Sequence, residues 1–135
     1  MENPPRRWAQ VTAVAVGGAL GTLARAALAA TGHGLLPIMV ANIAGTLVLA
    51  VLTSALLTGG GHGRRLLALA AGTGMCGALT TYSGLVLEVL RLTAPASAAQ
   101  LLVPLLLLSA CLLAGLLTAV AGWALGSLLR DGRAQ

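Results

Sequence analysis

Gly72-Thr73-Gly74-Met75-Cys76-Gly77-Ala78-Leu79-Thr80-Thr81-Tyr82-Ser83-Gly84 lies inside an otherwise apolar run from about Leu66 to Leu90. Four glycines and four threonine or serine hydroxyls make this stretch a poor helix. Its flanks are nevertheless long and apolar enough for a bilayer, which needs about 20 such residues per crossing. Backbone that leaves the helix at membrane depth is tolerated only where protein covers it or where it lines a wet cavity. Such backbone bares carbonyl oxygens that suit a cation, and the half-helix that resumes can turn its N-terminus to an anion. The expectation is an all-α membrane protein whose third span is broken mid-span.

Three further spans flank this one, at about Trp8–Ala30, Pro37–Thr58 and Leu101–Leu129. The breaks are Thr31 to Gly34, Gly59 to Arg65, and Thr93 to Ser97. All are short, so successive helices run antiparallel, and residues 1–135 form a single four-helix transmembrane domain. Composition agrees: 58% of residues are hydrophobic and 8% charged, against about 25% charged in ordinary soluble domains. A core built from so short a chain could not hide that much apolar surface. Arg6 and Arg7 ahead of the first span resemble a signal peptide, but the span is long, carries Arg25 and is followed by three more, so it reads as a retained helix.

The net charge of +5 comes from eight arginines and no lysine. They are scattered singly or in pairs and form no basic helix, which excludes nucleic acid and fits membrane-flanking charge. With four spans, Arg6, Arg7, Arg64, Arg65, Arg130 and Arg133 share one side, and only Arg91 and Arg25 fall to the other. This bias places both termini in the cytoplasm, which suits a multi-pass protein of the plasma membrane. Gly17 and Gly21, and Gly122 and Gly126, are GxxxG pairs, with Ala41 and Gly45 a looser version. Such spacing lets backbones approach closely in lipid. Cys76 and Cys111 lie in apolar runs and read as small buried hydrophobes.

Polar residues inside a span are functional candidates because their burial is costly. Arg25 either snorkels to the interface or sets a fixed positive charge in an aqueous vestibule. Asn42 either bonds a neighbouring helix or offers amide donors to a small anion. Glu88 and Arg91 are spaced for an i,i+3 ion pair. Gly72-x-Gly74-x-x-Gly77 is no dinucleotide fingerprint, since no strand precedes it and no acidic residue follows at the required distance. Glu2, Glu88, Asp131, His33 and His62 group into no catalytic arrangement, so an enzyme is not expected.

In combination these clusters resemble the CrcB/Fluc fluoride channels. Gly17-Gly18 through Gly21 to Arg25 match the first-helix pattern G-G-x-x-G-x-x-x-R, and Asn42 with Gly45 matches N-x-x-G. Gly77 to Leu85 with Glu88 match in part the pattern G-x-x-T-T-F-S-T-F followed by Glu. The resemblance implies an antiparallel dimer with two narrow pores, whose subunits pass fluoride out passively. It implies a structural sodium ion, not transported, at Gly77 and Thr80. It implies a fluoride path along Asn42, Tyr82, Ser83, Leu85 and Ser109, with Arg25 in the vestibule. Phenylalanine edges would solvate the anion through their positive rims. Here Tyr82, Gly84 and Leu85 replace two phenylalanines and the threonine between them. A ring-less Leu85 and six arginines against two lead to the expectation of a homologous subunit of opposite orientation, a heterodimer rather than a homodimer. The alternatives are a non-conducting partner or scaffold subunit, and a small multidrug-type transporter, which would need a carboxylate in the first span.

Overall fold

A computed structural model describes residues 7–56, 61–94 and 97–131. Helix α1 spans Arg7–Ala30 and α2 spans Leu35–Leu56. The third apolar segment is a series of shorter pieces: α3 (His62–Ala68), a π-helical stretch Leu69–Cys76, α4 (Gly77–Leu79) and α5 (Tyr82–Thr93). A 3-10 turn, Ala98–Leu101, leads into α6, Leu102–Asp131. No strand occurs among the described residues. By length and composition α1, α2 and α6 can each cross a membrane.

The boundaries differ from the sequence expectation in two instructive places. α2 begins at Leu35, so Pro37 falls in its first turn, where an N–H has no helical partner and its loss is free. α3 begins at His62, which draws Arg64 and Arg65 into a helix as exposed residues. Arg6, Arg133, the expected second-span end at Thr58 with Gly59 and Gly60, and Pro95 with Ala96 lie outside the described residues.

Glycines decide how the helices meet. The Leu69–Cys76 stretch lies between α1 and α2, touching both. A Cβ on Gly17 or Gly21 would collide with the backbone carbonyls of Ala70 and Met75. One on Gly74 would stand 2.6 Å from the Val14 carbonyl oxygen. At the α2–α6 contact, a Cβ on Gly122 would lie 2.8 Å from the Ala50 side chain, and one on Gly126 would lie 2.7 Å from the Val51 carbonyl oxygen. Both GxxxG pairs are therefore packing surfaces, as their spacing suggests. Ala41 is buried on α2.

The apolar core is small. Leu85, Val89 and Cys111 are buried together and pack against Ile38, Met39, Leu107 and Leu108, joining α2, α5 and α6. Cys76 and Cys111 are both buried free thiols. Outside this core the side chains turn outward: on α6 alone Leu102, Leu105, Leu106, Leu112, Leu113, Leu116 and Leu117 are exposed. A water-soluble monomer rarely shows so large an apolar surface; lipid is the solvent that accepts it.

The turns have local causes. Thr31 ends α1 by donating its hydroxyl to the Leu28 carbonyl at 2.7 Å. Gly34, at φ +102°, supplies the left-handed turn into α2, a conformation only glycine adopts cheaply. Glu88 and Arg91 form the expected i,i+3 pair at 3.8 Å, with the glutamate largely covered and the arginine exposed.

Candidate functional site: an interrupted helix beside a polar groove

The interruption falls at two residues. Thr80 (φ −79°, ψ 151°) and Thr81 (φ −150°, ψ 120°) are extended, between the end of α4 and the start of α5. The glycines expected to unwind stay helical, and Leu69–Cys76 widens to a π turn instead, with the Gly77 N–H reaching the Gly72 carbonyl. The physical reason is that Gly17, Gly21 and Gly74 make room for close backbone contact, which holds this region in place. β-branched threonines accept extended geometry more readily than glycine-flanked helix.

Three side chains stabilise the break. The Asn42 Oδ1 accepts the Thr81 N–H at 2.7 Å, and the Asn42 Nδ2 donates to the Thr81 carbonyl at 3.0 Å. The Thr81 hydroxyl accepts the Gly84 N–H at 3.1 Å, the N-cap of α5, as expected of threonine at this position. Thr80 donates both its N–H (3.1 Å) and its hydroxyl (3.0 Å) to the Cys76 carbonyl. One residue along α2 from Ala44, Gly45 admits the Thr80 methyl: a Cβ there would sit 2.6 Å from Thr80 Cγ2.

These bonds redirect donors that a continuous helix would use elsewhere. The Thr81 N–H would have served the Gly77 carbonyl, four residues back, and the Gly84 N–H the Thr80 carbonyl. Gly77 and Thr80 are thus left with carbonyls lacking helical donors. Among the described residues no three His, Cys, Asp or Glu side chains come together as a metal site. A cation held here would be a hard one, taken by backbone oxygens, and the two freed carbonyls fit it.

Beside the break runs an open groove of about 400 Å³ between α2, the start of α5 and α6. Asn42, Thr46, Thr80 and Thr81 give it a polar wall, and Cys111, Leu112 and Leu116 an apolar one. Tyr82 and Leu85 also border it. Asn42 keeps one N–H beyond the donation to Thr81, and the Thr81 hydroxyl keeps its hydrogen, since it acts there as an acceptor.

The expected pore residues do not all gather here. Asn42, Tyr82 and Leu85 reach the groove, but Tyr82 is 64% exposed and Leu85 is 4% exposed in the core. Ser83 is exposed on α5 and is not part of the lining. Ser109 is exposed and donates its hydroxyl to the Leu105 carbonyl of its own helix at 2.8 Å. Arg25 is half-buried on α1, away from the groove. Thr46 and Thr81 were not foreseen as lining residues. Thr46 could have been found from its spacing, one helical turn after Asn42 on the same face.

A helical membrane protein with an interrupted segment and a polar groove at the interruption is built like a protein that handles ions rather than like a simple anchor. The chain belongs to the CrcB-like family: the profile described as "CrcB-like protein, Camphor Resistance (CrcB)" matches residues 12–123. It is similar to a protein of Mycolicibacterium paratuberculosis (strain ATCC BAA-968 / K-10) named fluoride-specific ion channel FluC 1, with 40% identity over 91 residues. That match spans 62% of this chain and 66% of the relative. No solved structure matches the chain.

Proposed function

We propose that this protein is a subunit of a fluoride channel that lowers cytoplasmic fluoride by passive efflux across the plasma membrane. The observation that carries this reading is the groove beside the break, where an amide N–H and a threonine hydroxyl offer donors to a small anion. Family membership and the FluC relative support it. No energy source is needed: fluoride that enters as neutral HF from an acidic exterior dissociates inside, and a negative membrane potential drives the anion out. A sodium ion bound at the Gly77 and Thr80 carbonyls would be structural. It would supply a fixed positive charge near the groove and partners for two acceptors that otherwise face lipid unpaired.

Both termini are cytoplasmic in this proposal, on the arginine bias. The same bias favours pairing with a homologous chain of opposite orientation, in an antiparallel dimer. Leu85 supports the pairing, because it is a core residue with no ring edge to offer an anion. The test is fluoride efflux from liposomes under a potassium gradient with valinomycin. The chain co-reconstituted with a homologous four-helix chain of opposite arginine bias is expected to conduct, and the chain alone to conduct far less. Robust efflux from the chain alone would remove the need for a partner; no efflux in either case would sink the fluoride reading.

A further inference from the structure

Asn42 does more at the break than stand beside it. An ordinary helix cap is a local residue whose side chain takes an N–H from its own first turn. In α5 that task is done by Thr81, whose hydroxyl accepts the Gly84 N–H. Asn42 comes from another helix, 39 residues away, and binds the capping residue itself through both N–H and carbonyl. This paired contact fixes the amide's orientation, since only the oxygen can face the Thr81 N–H.

The effect on the carbonyls is specific. Asn42 Oδ1 takes the N–H that would close the helix onto Gly77, and the Thr81 hydroxyl takes the N–H that would close it onto Thr80. Two side chains therefore keep two named carbonyls open. Gly45, which makes room for the Thr80 methyl, holds the same two-residue segment from the next turn of α2.

We infer that Asn42 and the Thr81 hydroxyl are positioning residues which create the cation site by diverting the Thr81 and Gly84 N–H groups from the Gly77 and Thr80 carbonyls. The inference rests on the proposed reading of those carbonyls as the cation site. It adds a consequence. The Asn42 amide that keeps Gly77 open also carries the spare N–H at the groove, so cation and anion sites share one side chain. Occupancy of either site then favours occupancy of the other by the same factor, as thermodynamic linkage requires.

The experiment is a thermal-unfolding titration of the full chain in lipid nanodiscs, with sodium chloride against N-methylglucamine chloride. Asn42→Leu and Thr81→Val are compared with the wild type, and Thr81→Ser serves as the variant that keeps the hydroxyl. Wild type and Thr81→Ser are expected to share one sodium midpoint. Asn42→Leu and Thr81→Val are expected to need roughly tenfold more sodium, the scale of one net hydrogen bond. Amide exchange adds a readout that an anion ligand alone would not move: the Thr81 N–H exchanges more slowly than those of Tyr82 and Ser83 in the wild type. Unchanged sodium midpoints in both Asn42→Leu and Thr81→Val would overturn the inference, as would a wild-type Thr81 amide that exchanges as fast as its neighbours. Should Asn42→Leu fail to fold, the Thr81→Val and Thr81→Ser pair decides. A wild type that responds to sodium as described but passes no fluoride overturns the channel reading and leaves the inference standing.

Discussion

Two joints hold the third segment, and they use opposite chemistry. Against α1, contact is made by absence: Gly17, Gly21 and Gly74 present no side chain, and backbone meets backbone. Against α2, it is made by a polar side chain, with the Asn42 amide bonded to Thr81. The glycine seam determines how near the helices lie, while the amide joint determines where a helix stops. In lipid the first works through van der Waals packing and the second through satisfaction of backbone groups. Residues that look like helix breakers at the seam remain helical, and residues of moderate propensity at the joint do not.

The largest effect should come from closing the seam. Gly17→Ala would press a methyl into the Ala70 carbonyl, which no rotamer change can relieve. A cost of about 3 kcal/mol or more is expected from overpacking against fixed backbone, visible as loss of cooperative thermal unfolding in detergent. Breaking the amide joint should cost less. Asn42→Leu removes two bonds but lets the Thr81 N–H return toward Gly77, so about 2 kcal/mol is expected from the loss, measured by the same melt. Thr81→Val keeps shape and removes the cap, for about 1 kcal/mol; a shift comparable to that of Gly17→Ala would mean the hydroxyl has some larger role. Gly18→Ala sharpens the comparison as a control, because a Cβ there meets nothing within 4 Å. Its effect should stay within about 1 kcal/mol on the stabilising side, the helix-propensity difference between the two residues.

Much of this arrangement was legible in the sequence. Span length and hydropathy gave the helices, GxxxG spacing marked Gly17, Gly21, Gly122 and Gly126, and the Glu88–Arg91 pair followed from i,i+3 geometry. The position of the break was not legible. Local propensity pointed to the glycines, but their conformation is decided by α1, which propensity cannot see. The partner of Asn42 was hidden for a similar reason: a contact across 39 residues leaves no periodic trace. Ser109 shows the limit of reading side chains by type, since a serine within a helix can spend its hydroxyl on its own backbone, as serines often do. Leu85 was expected at a pore and lies in the core, because its neighbours Val89 and Cys111 share its inward face.

The wide turn at Leu69–Cys76 also carries a length in its backbone. A π turn houses one residue more than an α turn over the same rise, so it works as a spacer that sets the angle at which everything after it emerges. Removing one residue there would let the turn tighten and swing the downstream chain by roughly 100°, the rotation of a single helical step. Thr81 would then face away from Asn42. The insertion is a gear tooth: the glycines fix the axle, and the extra residue fixes which side of the wheel meets α2.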